Sequence, residues 1–188
     1  RNAEKLQTYF QSTLPDEALI EKYNRAGLIG KSKDFIRLIQ AIESAARSEV
    51  RVLLEGPTGT GKELIAKAIH NNSSRANNPF IAVDCGAIPE TLLESELFGH
   101  LRGSFTGASQ DRKGLFLHAH TGTIFLDEIA NLSFEMQSKL LRALQENEIR
   151  PIGSDAPIRI NVRVIAAATM SLLKLVEEKK FRQDLFYR

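Results

Sequence analysis

Gly56-Pro57-Thr58-Gly59-Thr60-Gly61-Lys62 leaves the backbone few choices. It follows the short apolar run Arg51-Val52-Leu53-Leu54 and opens an amphipathic segment from Lys62 to His70. A strand, a glycine loop and a helix in that order make a nest for an anion. Glycines let consecutive backbone N–H groups turn toward one centre, and the helix N-terminus adds its positive end. A lysine closing such a loop reaches the outer phosphates of a nucleoside triphosphate. The next residue ordinarily carries a hydroxyl that binds magnesium; here it is Glu63, so a metal must lean on other ligands.

The remaining periodicity agrees with a sheet built around that loop. Ser32 is predicted to cap a helix with Phe35, Ile36, Leu38, Ile39 and Ile42 on one face. The apolar runs at 51–54, 80–83, 123–126 and 162–166 read as buried strands. Residues 90–98 read as a helix with Leu92, Leu93, Glu96 and Leu97 in register, and the Gly-, Ser- and Thr-rich 99–110 as a loop. Ser133 is predicted to cap a helix whose inner face is Gln137, Leu140, Leu141 and Leu144, and short helices follow near 171–179. Strands without polar alternation, separated by helices, predict an α/β fold with a parallel sheet flanked by helices. Ligands of such sheets bind beyond the carboxyl ends of the strands.

The run Ile124-Phe125-Leu126 ends at one such carboxyl end, in Asp127-Glu128. Asp127 is the natural partner for magnesium, directly or through water. Glu128 is placed to orient or deprotonate an attacking water. Together with the phosphate loop, the pair predicts a P-loop ATPase using ATP and Mg2+. Other classes receive no support. The net charge of +2 gives no case for nucleic acid or a membrane surface. No apolar run approaches the ~20 residues that span a bilayer. Cys85 is the single cysteine, so no disulfide forms within the chain, which fits a cytoplasmic setting. Cys85 is expected to pack as a small core residue, and His100, His118 and His120 show no metal-binding spacing. The 188 residues suit one domain. The chain opens on Arg1 and stops after Arg188, and it reads as a piece of a longer protein, with 1–26 a linker or upstream tail and 27–188 the ATPase domain.

A more specific signature lies between the two acidic and basic motifs. Glu94-Ser95-Glu96-Leu97-Phe98-Gly99-His100 precedes Gly103-Ser104-Phe105-Thr106-Gly107-Ala108. These segments resemble the ESELFGH and GAFTGA motifs of the AAA+ domain of bacterial sigma-54-dependent transcriptional activators, with Ser104 in place of alanine. The phosphate loop also resembles that family's, which carries glutamate where this chain has Glu63. The resemblance runs from about Gly30 to Arg188. It implies an AAA+ α/β subdomain whose helical lid lies outside these residues. It also implies that residues 103–108 form a nucleotide-driven loop tip touching sigma-54, and that the domain works as a ring, a hexamer in the family. DNA would be read only by a C-terminal domain outside these residues. Phe105 either meets the partner or folds back into the core.

The same resemblance assigns further roles. Asn161 to Thr169 is similar to the AAA+ sensor strand, which places Thr169 near the γ-phosphate; Met170 stands where the family has asparagine. Phe181-Arg182-Gln183-Asp184-Leu185-Phe186-Tyr187-Arg188 is similar to the segment whose arginines, here Arg182 and Arg188, act in the neighbouring subunit's site. Asp84 replaces an asparagine that holds the catalytic glutamate in an inactive pose, and is expected to couple to Glu128 less simply than an amide. Two rivals stay open: another AAA+ remodeller, and a regulatory nucleotide-binding module with little hydrolysis.

Overall fold

A computed structural model describes residues 16–188. Backbone contacts divide the chain into two compact units. One takes residues up to 50 together with 61–77, and the other takes 51–60 together with 78–188.

The first unit is helical. Helix α1 (Asp16–Arg25) packs on α2 (Lys33–Ala46), which packs on α3 (Lys62–Asn71). Ser32 is the N-cap of α2, accepting a 3.1 Å hydrogen bond from the Phe35 amide as its position predicts. Ile39, Ile42 and Ala46 form the buried stripe, whereas Leu38 turns outward. Leu19 and Tyr23 of α1 are fully buried. Glu43 is buried too, and a carboxylate survives there only with donors around it. It accepts from Lys22 Nζ at 2.6 Å, Tyr23 Oη at 2.7 Å and Arg47 Nη2 at 3.0 Å. Burial works to raise its pKa, but the bonds from Lys22, Tyr23 and Arg47 hold it below the ordinary carboxylate value. Burial and the neighbouring Glu43 push the Tyr23 phenol up. Residues 16–25, within the segment 1–26 that reads as a linker or upstream tail, form a helix packed on α2. Residues 1–15 of that expected linker lie outside the described residues.

The second unit holds a four-stranded parallel sheet. Strands β1 (Val52–Glu55), β2 (Phe80–Asp84), β5 (Thr123–Asp127) and β8 (Arg163–Ala168) lie in the order β1-β8-β5-β2. The apolar runs predict all four, and the central pair β5 and β8 is almost entirely buried. The outer pair departs from expectation. Val52–Glu55 alternates between half-buried and exposed, because β1 has one strand neighbour among the described residues.

Helices α4 (Glu90–Phe98), α5 (Leu115–His118), α6 (Phe134–Glu146), α7 (Leu172–Glu177) and α8 (Gln183–Phe186) complete this unit. Their buried residues, among them Leu97, Phe116, Leu140 and Leu185, join Val83, Ile124, Leu126, Val164 and the loop residue Phe181 in one apolar cluster. Each such side chain contributes on the order of 2 kcal/mol by leaving water. In α4 the inward residues are Leu93, Ser95, Leu97 and Phe98, and Leu92 is exposed. Ser133 caps α6, whose inner face includes Gln137, Leu140, Leu141 and Leu144 as predicted. Two small hairpins, β3 (Gly99–His100) with β4 (Arg112–Lys113) and β6 (Glu148–Ile149) with β7 (Ile158–Arg159), escape the sequence patterns because each strand has two residues. No helix among the described residues is long and apolar enough to cross a membrane.

Candidate functional site

The phosphate-loop sequence leaves β1 through Gly56, whose amide bonds the carbonyl of Ala168 at the end of β8. Thr60 closes the turn behind it, its Oγ1 donating to the Pro57 carbonyl at 2.8 Å. Gly59 and Gly61 take left-handed φ values of +80° and +83°, a region that side chains resist. Within the first unit, Gly61 is the N-cap of α3, Lys62 is its first residue and is buried, and Glu63 pairs with Lys67 at 2.7 Å. That pairing draws the Glu63 carboxylate toward its own helix.

Three further sequence-predicted residues of the second unit meet at adjacent strand ends. Asp127 ends β5, and its Oδ1 accepts the amide of Glu128 at 2.9 Å. Glu128 stands at φ +53°, a strained conformation for glutamate that costs of order 1 kcal/mol and clusters at functional sites. Thr169, just past β8, donates its hydroxyl to Glu128 Oε2 at 3.2 Å. Asp84 ends β2 in register with Asp127, but its Oδ1 accepts the amides of Gly86 and Ala87 at 2.8 and 3.1 Å. Asp84 is therefore committed to its own turn, while Glu128 is held by Thr169. Cys85 lies buried beside them. Burial, then the Asp84 and Asp127 carboxylates, push its thiol up to about 12, so it remains protonated at neutral pH.

No group of three or more His, Cys, Asp or Glu side chains gathers as a metal cage among the described residues. Magnesium does not require one. It is commonly held by one or two carboxylates together with substrate phosphates and water, and Asp127 is the carboxylate expected from the sequence to take that part.

The signature loop is built on a narrow neck. A Cβ on Gly114 would overlap the backbone of Phe98 and Gly99, and one on Gly99 would overlap the backbone of Arg112 and Gly114. Only glycine at both places lets β3 and β4 meet there. Above the neck, the Gly103 amide bonds the Ala108 carbonyl at 2.8 Å, and the Ala108 amide bonds the Phe105 carbonyl at 3.0 Å. This leaves Phe105, Thr106 and Gly107 as the exposed turn between the buried Ala108 and the half-buried Ser104. Phe105 neither projects freely nor enters the core. It is 38% exposed, and its ring meets His100 edge-on with centroids 5.0 Å apart. His100 is fixed by a 2.6 Å hydrogen bond between Nδ1 and Ser95 Oγ. Ser104 Oγ is buried without a hydrogen-bond partner among the described residues, and the Gly153 turn closes on it so tightly that a Cβ there would lie 2.6 Å from the Ser104 Cβ.

Arg182 and Arg188 lie in the last segment. The Arg182 guanidinium binds Asp184 through Nε at 3.0 Å and Nη2 at 2.7 Å, and Ser138 Oγ through Nη1 at 3.1 Å. The bond to Asp184 holds Arg182 above its ordinary pKa, and Arg182 holds Asp184 below its own. Arg188 is exposed, and its carbonyl accepts Arg51 Nη1 at 3.4 Å. Two supporting residues are absent from the sequence-based candidates. Glu55 caps α7 by accepting the Leu172 amide at 2.8 Å, a contact between residues far apart that leaves no local pattern. Gln137 is fully buried, and a polar residue on an apolar helix face is a signal that the sequence does carry.

The sequence profile of the sigma-54 interaction domain matches residues 28–188. The chain is 52% identical over 164 residues to the transcriptional regulatory protein GlrR of Escherichia coli (strain K12), covering 87% of this chain and 37% of GlrR. It is 47% identical over 186 residues to the anaerobic nitric oxide reductase transcription regulator NorR of Vibrio vulnificus (strain YJ016), covering 98% of this chain and 36% of NorR. It thus spans about a third of the length of these curated relatives. Among solved structures, NtrX from Brucella abortus superposes with a TM-score of 0.79 at 37% identity, covering 86% of this chain and 35% of NtrX. NtrX has also been crystallised with ADP and with ATP.

Proposed function

Because the chain belongs to the sigma-54 interaction domain family, we propose that it is the ATP-hydrolysing AAA+ motor of a cytoplasmic transcriptional activator. Hydrolysis would drive the loop at Gly103–Ala108 against sigma-54 and remodel the closed complex of RNA polymerase. The observation that carries this reading is the bond from Thr169 to Glu128, at the ends of adjacent central strands. On this reading Thr169 lies beside the γ-phosphate as well as beside Glu128, and so reports whether the phosphate is present.

In this mechanism the phosphate loop, ending on Lys62, takes the triphosphate of ATP. Asp127 would hold Mg2+, which when bound would neutralise charge on the phosphate oxygens. Glu128 orients the attacking water and accepts its proton, and its left-handed backbone fixes the carboxylate beyond the strand end. Arg182 and Arg188 act on the site of the neighbouring subunit, where an arginine finger is worth roughly 10³–10⁵ in rate. Arg182 must first exchange its bond to Asp184 for one to phosphate. The motor therefore works as a ring, and DNA enters only through a domain outside these residues.

Phosphate release by the full-length protein tests this reading. Lys62→Ala is expected to abolish ATP binding. Glu128→Gln is expected to keep binding and to lose about 10²–10⁴ in turnover, the ordinary worth of a positioned base. Turnover unchanged in Glu128→Gln contradicts the mechanism.

A further inference from the structure

Gln137 has no place in the chemistry described above, yet it is among the most constrained side chains in the second unit. It is fully buried in α6, and its amide is hydrogen-bonded at both ends. Nε2 donates to the Leu132 carbonyl at 2.8 Å and to the Lys180 carbonyl at 3.3 Å. Oε1 accepts the backbone amide of Arg182 at 2.8 Å. These partners belong to two separate segments. Leu132 ends the short 3-10 turn Ile129–Asn131 that starts at Glu128. Lys180 and Arg182 flank the entry to α8, with Arg182 as its N-cap.

One buried amide therefore ties the strand end bearing Glu128 to the backbone of Arg182. Among the described residues the Arg182 side chain bonds Asp184 and Ser138, both exposed, which water and phosphate can displace. Its backbone is fixed by Gln137. We propose that Gln137 is a positioning residue for Arg182: it sets where the guanidinium is launched toward a neighbouring subunit, relative to the chain's own Glu128. The proposal rests on the reading that Arg182 acts in the neighbour's site. It adds that a buried side chain never touching nucleotide controls that delivery. An apolar side chain at 137 would fill the space but leave the Arg182 amide and two carbonyls without partners.

Complementation in the full-length protein separates this role from plain stability. Gln137→Met, Arg182→Ala and Lys62→Ala are purified singly and then mixed pairwise with Lys62→Ala. Gln137→Glu, which keeps the acceptor for the Arg182 amide, serves as a second variant of nearly equal size. Gln137→Met is expected to melt cooperatively and bind ATP, with turnover reduced at least about tenfold, a fraction of what a lost finger costs. Lys62→Ala alone is inactive, but its subunits carry intact Arg182. Mixing with Lys62→Ala is therefore expected to restore turnover to Gln137→Met as it does to Arg182→Ala, with Gln137→Glu less impaired from the start. Wild-type turnover in Gln137→Met overturns the proposal. So does recovery of Arg182→Ala with no recovery of either Gln137 variant. If Arg182→Ala itself gains nothing from the mixture, Arg182 does not act between subunits, and the underlying reading falls with it.

Discussion

Thr169 donates its hydroxyl to Glu128 although the two residues are 41 positions apart, because parallel pairing of β5 and β8 brings their carboxyl ends side by side. Removing the hydroxyl while keeping the shape separates its role from packing. Thr169→Val is expected to leave ATP affinity near wild type and to lower turnover by about tenfold, the worth of one hydrogen bond to a charged group at about 1.5 kcal/mol. Steady-state and equilibrium-binding measurements check this. At this scale the sequence was informative where chemistry sits in contiguous motifs. The positions of Gly56 to Lys62 between a strand and a helix, and of Asp127-Glu128 at a strand end, are legible because each is bounded by an apolar run. The side-chain partners were not legible. Residue order does not show that the Asp84 carboxylate accepts the amides of Gly86 and Ala87, a local turn bond available to any aspartate followed by a bend.

Among elements, the β3–β4 hairpin holds the loop proposed to meet sigma-54. Its neck closes only because Gly99 and Gly114 have no side chains where their backbones touch. Gly114→Ala forces these strands apart and is expected to cost about 1–3 kcal/mol, the usual price of overpacking, read as a lower urea midpoint. Binding to sigma-54 is expected to fall further than binding to ATP. The turn itself is poised by two ring contacts, Phe105 on His100 and His100 on Ser95, and neither follows from residue order. The long elements behave otherwise. Four strands and the caps of α2 and α6 follow from apolar periodicity and from Ser32 and Ser133, since those signals span many residues or one strong cap. Periodicity says which residues are apolar, but it does not say which strand lies at an edge. Hence the run 51–54 reads as a buried strand, and the strand observed at Val52–Glu55 alternates between half-buried and exposed.

At the scale of the molecule, each unit has its own means of cohesion: an apolar cluster in the second, and in the first an apolar stripe with Glu43 at its centre. Because donors hold Glu43 below the ordinary carboxylate value, its contribution is fully present above the unfolded-state value. It is lost as pH falls through the lower folded-state value. The melting midpoint is therefore expected to fall as pH drops below about 4.3, and Glu43→Gln is expected to lose part of that dependence. Lys22 and Tyr23 of α1 bond Glu43 of α2, so the same contacts help to hold residues 16–25 on α2. The central claim is that nucleotide chemistry is spent on sigma-54. Its most direct test is a native-gel binding assay with sigma-54 and the full-length protein. ADP with a metal fluoride stands in for the hydrolysis transition state, and wild type is compared with Thr106→Ala. The account predicts a complex that needs the fluoride and disappears in Thr106→Ala while ATP turnover persists. A complex that survives Thr106→Ala, or intact turnover with no complex at all, contradicts it.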